Sequence, residues 1–324
     1  MAEFGFSLAS EEHAPEDLVR LAERGEQAGL AFACVTDHFH PWTSAQGHSS
    51  FVWSVLAAAA ARTSSLRLGT GVTCPIMRIH PAVLAQAAAT TARLMPGRFF
   101  FGVGTGEALN ETIVGRCWPP ARVRLAMLDE AIGIIRDLWT GKTVTCQGRY
   151  FQVNSARLYT VPEQPPPIIV SALAPHAADL AGRIGDGYWG TMPDASLVQR
   201  WRSAGGTGPC YGQIQVCWAE DASQARRTAL RQWPNSALVG QIPRDLPTPA
   251  HIEQATSLVD EEAIGQAVVC GPEPGPILDK VRAYLDSGYD HVYFHQLGPD
   301  QEGFFRFYEQ ELAPGLATLA HAER

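Results

Sequence analysis

Ala31-Phe32-Ala33-Cys34-Val35-Thr36-Asp37-His38-Phe39-His40-Pro41-Trp42 is an apolar run that ends abruptly in polar and aromatic residues. Residues 31–36 read as a strand with both faces buried, as in a parallel sheet. The same pattern recurs on either side. Residues 4–8 form a short apolar segment, and 15–29 have helix spacing, with Leu18, Leu21 and Ala22 on one stripe. Residues 51–61 read as a helix and 66–72 as a strand. Residues 81–94 read as a helix with Pro81 early in it, where the missing N–H does no harm. Residues 99–103 read as a strand running into Gly104-Thr105-Gly106, and 122–139 as a long amphipathic helix. Segments 168–171, 186–189, 213–218 and 291–295 continue the series of strands.

Alternation of this kind predicts a parallel sheet covered by helices. Eight candidate strands are the number that closes a (β/α)8 TIM barrel. The structural alternative, an open doubly wound sheet, is weakened because no glycine-rich dinucleotide fingerprint follows the first strand. Barrels of roughly 250 residues or more form one domain. The 324 residues are therefore expected to make a single domain, 1–324. Two insertions break the rhythm, at about 140–165 and 232–260. The first alternates (Val144, Cys146, Tyr150, Phe151, Val153) and contains Gln147-Gly148, which predicts a hairpin. The second is rich in Pro and polar residues, as lids and binding loops often are.

Composition narrows the function. A hydrophobic fraction of 46% is ordinary for a globular chain. The formal net charge of −8 disfavours nonspecific binding to nucleic acid or an anionic membrane. Seven scattered cysteines with no CxxC pair point to reduced thiols and, with no signal peptide evident at the N-terminus, to the cytoplasm. No run approaches the length of a membrane span. His38 and His40 stand only two apart, and no HExxH or CxxC pattern accompanies them, so no metal is expected.

The active site of a barrel lies at the C-terminal ends of its strands. That rule selects Asp37-His38, Val72-Thr73-Cys74, Gly104 to Glu107 with Asn110, Ser171-Ala172 and His295-Gln296. His38 suits proton transfer near neutral pH. Glu107 is a second titratable group, which partial burial can keep protonated. Trp42 offers a flat face and an N–H donor. Gly104 and Gly106 let the backbone approach a flat ligand. Each has a plainer reading: a strand-end histidine is often structural, Glu107 could simply complement a helix dipole, and Trp42 could be core.

Taken together the motifs resemble a known family. They are Thr36 to Trp42, Gln46-Gly47-His48, Gly69 to Pro75, Ile79-His80-Pro81-Ala82, Gly102 to Glu111, Ala156 to Tyr159, Gly185-Asp186-Gly187 and Gly298-Pro299-Asp300-Gln301. The chain resembles the F420-dependent glucose-6-phosphate dehydrogenase-like branch of the bacterial luciferase-like superfamily, from about Phe4 to Pro314. The resemblance implies a homodimeric TIM barrel that binds the deazaflavin coenzyme F420 and transfers hydride between a small-molecule substrate and C5 of the ring. It implies His38 as the base that takes a hydroxyl proton, and Glu107 as the acid serving N1 of the coenzyme. It implies Trp42 as a donor that stabilises the reduced ring, and Glu11 as a supporting carboxylate. Asp37, Val72, Cys74, Gly104, Thr105, Gly106, Asn110, Ser171 and Ala172 would line the coenzyme pocket. A non-prolyl cis peptide is implied at Gly71-Val72.

The chain departs from that pattern where the family holds a sugar phosphate with two lysines and an arginine. Asp194 and Pro243 fall about where the lysines would be, and the segment Gln266-Ala267-Val268, read as a strand, lacks the arginine; Arg244 could replace one cation. A phosphate dianion left without such partners is costly. Glucose 6-phosphate is therefore not the expected substrate. An alcohol or sugar CH–OH, or a C=O, C=N or C=C bond in reverse, remains. The alternatives are an FMN-dependent luciferase-like monooxygenase, in which a ring nitrogen at position 5 permits oxygen activation, and a non-catalytic cofactor-binding relative. The joint presence of His38, Trp42 and Glu107 favours the F420-dependent enzyme.

Overall fold

The first strand lies between the second and the last, and that pairing closes the sheet into a barrel. In the computed structural model, which describes residues 2–322, the eight barrel strands are β1 (Glu3–Leu8), β2 (Phe32–Val35), β3 (Arg67–Thr70), β4 (Phe99–Val103), β5 (Ile168–Ser171), β6 (Gly187–Gly190), β7 (Cys210–Cys217) and β8 (His291–Gln296). Each is parallel to its neighbours. Gly5 stands opposite Tyr293 on one side and Phe32 on the other. Helices Pro15–Gln27, Val52–Arg62, Pro81–Leu94, Ala121–Trp139, Pro175–Ile184, Ala195–Ser203, Ala222–Gln232 and Pro274–Asp286 cover the outside. This is the expected (β/α)8 barrel, and its strands are the eight read from the sequence.

Side chains alternate in and out along each strand. Phe32, Cys34, Phe100, Ile169, Trp189, Tyr211 and Tyr293 fill the barrel interior as one cluster. Trp189 stacks on Tyr211 with centroids 5.2 Å apart, and its indole N–H donates to the Tyr293 hydroxyl at 3.1 Å. Alternate residues such as Phe6, Ala33, Val35, Phe101, Val170 and Phe294 face outward into the layer beneath the helices. Large rings inside need small partners. A Cβ on Gly5 would come 2.5 Å from the Phe32 ring, and one on Gly69 would come 2.3 Å from Phe100. Those two positions must be glycine for the interior to fill without overpacking.

The first insertion is a hairpin, Val144–Gln147 with Gln152–Ala156 antiparallel. The second differs from a plain loop. It holds the short helical segments Pro234–Ala237, Ile242–Asp245 and Pro249–Ala255. Proline, a sign of loop in the sequence, here occupies the first turn of each, where it has no N–H to lose. The reading of Gln266-Ala267-Val268 as a strand is corrected. Glu261–Ala267 is a helix capped by Asp260, whose side chain accepts from Ala263 N–H. Only Val269–Cys270 pairs, with β7. The strand read at 213–218 begins earlier, at Cys210. Among the described residues no helix is long and apolar enough to cross a membrane, and all seven cysteines are free.

Candidate active site

The loops after β1 and β2 are stitched together first. The Ser10 backbone N–H donates to Thr36 Oγ1 at 2.8 Å, and the Ser10 hydroxyl donates to the Thr36 carbonyl at 2.9 Å. Thr36 Oγ1 is thus already an acceptor, and its own hydrogen goes to Glu11 Oε2. Glu11 is buried, and its other oxygen lies 3.4 Å from His38 Nε2. A buried carboxylate needs such partners. Here a hydroxyl and an imidazole supply them.

The loop 37–42 is held from two sides. Asn110, buried on the short helix Ala108–Glu111 after β4, accepts with Oδ1 from Phe39 N–H at 2.9 Å and His40 N–H at 3.2 Å. Its NH2 group therefore faces the other way, 3.1 Å from His38 Nδ1 and 3.4 Å from Glu107 Oε2. One amide thus bridges the two titratable groups selected from the sequence. His38 Nδ1 also lies 3.2 Å from the His40 carbonyl, and His40 Nδ1 lies 2.9 Å from the Leu109 carbonyl. On the far side Trp42 N–H donates to Gln46 Oε1 at 2.8 Å, and Gln46 Nε2 donates to the Gln232 carbonyl at 3.0 Å. The Trp42 ring sits against His38, centroids 5.1 Å apart.

Beneath this loop lies a buried ionic network that sequence reasoning missed. Arg78 Nη2 donates to Asp37 Oδ1 at 2.6 Å, and Thr73 Oγ1 donates to Asp37 Oδ2 at 2.7 Å. Arg78 N–H donates to Glu111 Oε2 at 2.9 Å. The Asp37 carboxylate is fully enclosed by these partners. Burial pushes the Glu111 carboxyl up to about 7, against the pull of Arg78. The available signal was a lone arginine in the apolar stretch Pro75-Ile76-Met77-Arg78-Ile79, where an unpaired charge would be costly.

The ends of β3, β4 and β5 meet beside these groups. The Gly71-Val72 peptide is cis. A Cβ on Gly104 would fall 2.9 Å from Val72 Cγ2 and 3.5 Å from Ser171 Cβ. Gly106 has φ 69°, and a Cβ there would meet Cys74 Sγ at 2.5 Å. Bare backbone is thus required at both positions, with Thr105 between them. The Cys74 thiol is buried, which drives its pKa well above the ordinary value. It is packing rather than a nucleophile. Ala172 is fixed by Tyr188, whose hydroxyl donates to its carbonyl at 2.7 Å.

A further set of buried polar groups extends from Glu11. Glu12 accepts from Trp233 Nε1 at 2.8 Å and Gly298 N–H at 2.7 Å, and burial raises its carboxyl to about 7. His295 packs edge-on against Trp233 at 4.5 Å, with Nδ1 3.0 Å from Gln213 Nε2. Burial lowers both His13 and His295 to about 4. The site is therefore rich in carboxylates and neutral imidazoles. Among the described residues no group of three or more His, Cys, Asp or Glu is arranged to hold a metal.

Similarity to known proteins extends over nearly the whole chain. The family described as Luciferase-like monooxygenase matches residues 1–291. The F420-dependent glucose-6-phosphate dehydrogenase of Nocardia farcinica is 36% identical, covering 98% of this chain and 99% of that one. The enzyme of the same description from Mycobacterium tuberculosis is 35% identical, covering 97% and 98%. The structure of an F420-dependent secondary alcohol dehydrogenase in complex with an F420-acetone adduct superposes with TM-score 0.89 at 30% identity, covering 97% and 98%. The coenzyme F420-dependent tetrahydromethanopterin reductase of Methanopyrus kandleri shares the fold, with TM-score 0.78 at 20% identity and coverage of 97% and 99%.

The buried histidines give a pH prediction. With His13 and His295 lowered to about 4, the folded chain binds fewer protons than the unfolded chain between pH 4 and 6.5. Stability from these groups is complete above pH 6.5 and falls as pH drops toward 4. Glu12 and Glu111 act oppositely, losing stability as pH rises from 4.5 toward 7. A single replacement isolates one contribution. The stability advantage of wild type over His295→Gln should shrink by about 2 kcal/mol between pH 7.5 and pH 5, measured by urea unfolding. An advantage that does not change with pH would show that His295 titrates normally.

Proposed function

This chain belongs to the luciferase-like monooxygenase family, and within it we propose an oxidoreductase that uses coenzyme F420. It moves a hydride between a carbon of a small-molecule substrate and the coenzyme. The observation that carries the reading is the continuous path Glu11–His38–Asn110–Glu107 at one barrel rim, beside the backbone surface at Gly104 and Gly106. Relatives of 35–36% identity over nearly the full chain, all described as F420-dependent, support the choice of coenzyme.

When bound, the deazaflavin supplies a carbon, C5, that accepts or releases hydride. The chain's own residues do the rest. Gly104, Thr105 and Gly106, with Val72, Cys74, Ser171 and Ala172, form the surface for the ring, and Asp37 and Asn110 hold that surface in shape. His38 takes the proton of a substrate hydroxyl. As it becomes cationic, the Glu11 carboxylate, 3.4 Å from Nε2, is placed to balance its charge. Glu107, 3.4 Å from the Asn110 amide, would pass the second proton to or from the ring, and the Trp42 ring packs against His38. The same acid–base pair serves the reverse direction by microscopic reversibility.

The substrate proposed carries no phosphate. Asp194 turns back on its own helix as N-cap, accepting from Ser196 N–H at 2.9 Å and Leu197 N–H at 3.2 Å. Pro243 lies in the short helix Ile242–Asp245, and Arg244 donates to the Gly240 carbonyl. Arg78, a cation within the site, is committed to Asp37 and Glu111. An alcohol, or the matching carbonyl, suits carboxylates and neutral histidines better than a dianion does. A homodimer in the cytoplasm, with the whole chain as one domain, completes the reading; the free cysteines support a reducing compartment.

Fluorescence titration should show F420 binding much more tightly than FMN; equal or tighter FMN binding would sink the assignment. His38→Ala should lower turnover on the order of 10²–10⁴-fold while coenzyme affinity is kept. Undiminished turnover in that variant would remove His38 from the chemistry. Glucose 6-phosphate should reduce the coenzyme poorly compared with simple secondary alcohols, and efficient reduction by it would overturn the reading of the missing cations.

A further inference from the structure

Arg78 is buried on the loop between β3 and helix Pro81–Leu94, and it reaches both loops that carry the proton-handling groups. Toward the loop after β2, Nη2 donates to Asp37 Oδ1 at 2.6 Å and lies 3.4 Å from the Asp37 carbonyl, one residue before His38. Toward the segment after β4, its backbone N–H donates to Glu111 Oε2 at 2.9 Å, and Nε lies 3.7 Å from Glu111 Oε1. Glu111 directly follows Asn110, whose amide bridges His38 and Glu107 from above. Both feet of that bridge therefore rest on one arginine, Asp37 on its guanidinium and Glu111 on its backbone N–H.

We propose that Arg78 is a positioning residue for the reaction, setting the separation of His38 and Glu107 from beneath: its guanidinium holds Asp37, and its backbone N–H, with the guanidinium charge beside it, holds Glu111. The inference rests on the proposed roles of those two groups. Three features carry it. The contacts span three separate barrel loops. The carboxylates are sealed from water, with Asp37 at 0% and Glu111 at 1% side-chain exposure, so solvent cannot replace the cation. A planar fork can serve two carboxylates at once, whereas an ammonium is a point charge on a flexible stem. Lysine at position 78 keeps the charge and the backbone N–H to Glu111, but loses the rigid fork that reaches Asp37 while its Nε stays beside Glu111.

The test compares Arg78→Lys with Arg98→Lys. Arg98 is a structural arginine remote from the site, bonded to Leu66, Ala60 and Thr63. In Arg78→Lys, kcat per coenzyme-binding site should fall on the order of 10–100-fold with KM little changed, as a small misplacement of reacting groups does. The His38 imidazole resonances of the coenzyme-free protein should also shift. Arg98→Lys should lower Tm with kcat per site and the His38 signal unchanged. If Arg78→Lys does not fold, Glu111→Gln decides. It keeps an oxygen for the Arg78 N–H and removes only the charge, and it should shift the same resonances. An unmoved His38 signal with unchanged kcat in the folded variant would overturn the proposal. Because the resonances are read without coenzyme, they test the hold of Arg78 even if F420 proves to be the wrong coenzyme.

Discussion

β1 is hydrogen-bonded to β2 on one edge and to β8 on the other, and everything at the active rim depends on that closure. A closed parallel sheet has no free edge, and all its strands end at the same rim. Loops that are far apart in sequence then become neighbours. Glu11 follows β1, His38 follows β2, Arg78 follows β3 and Glu107 follows β4, and all four meet within two or three hydrogen bonds. The interior must be filled for the ring to hold its shape. Phe32, Phe100, Trp189, Tyr211 and Tyr293 do this, with glycines at the points where a Cβ would otherwise collide with a ring.

Above that apolar filling the barrel mouth is polar, and its energetics follow from burial. Charged groups removed from water must be paired or neutralised. Asp37 is paired with Arg78. Glu11 is matched to a hydroxyl and an imidazole. Glu12 and Glu111 are held near neutrality by a raised pKa, and His13 and His295 by a lowered one. The mouth thereby gathers many titratable groups, most of them paired or shifted toward their neutral forms.

The barrel was legible in the sequence because its signal is local. Each strand is an apolar run ending at polar residues, and each helix has its own stripe. His38, Trp42 and Glu107 could be selected as candidates because barrel active sites lie at strand ends, and the fold brings the three to one rim. The helices of residues 232–260 were not legible, since proline and polar residues mark loops and short helical turns alike. Arg78 escaped because its importance lies in a partner, Asp37, some forty residues away, and no spacing rule connects them.

Asn110 shows the same division within one side chain. As a polar residue shortly after the fourth strand, it was selected as part of a ligand pocket. Its amide oxygen is taken by two backbone N–H groups from another loop, so its NH2 can only face His38 and Glu107. The sequence by itself determined the order of elements, the rim that carries chemistry and the residue types on it, because those follow from periodicity and chain connectivity. Which nitrogen faces which oxygen, and which buried charge is balanced by which, was decided only when closure of the barrel brought separate loops within hydrogen-bonding distance.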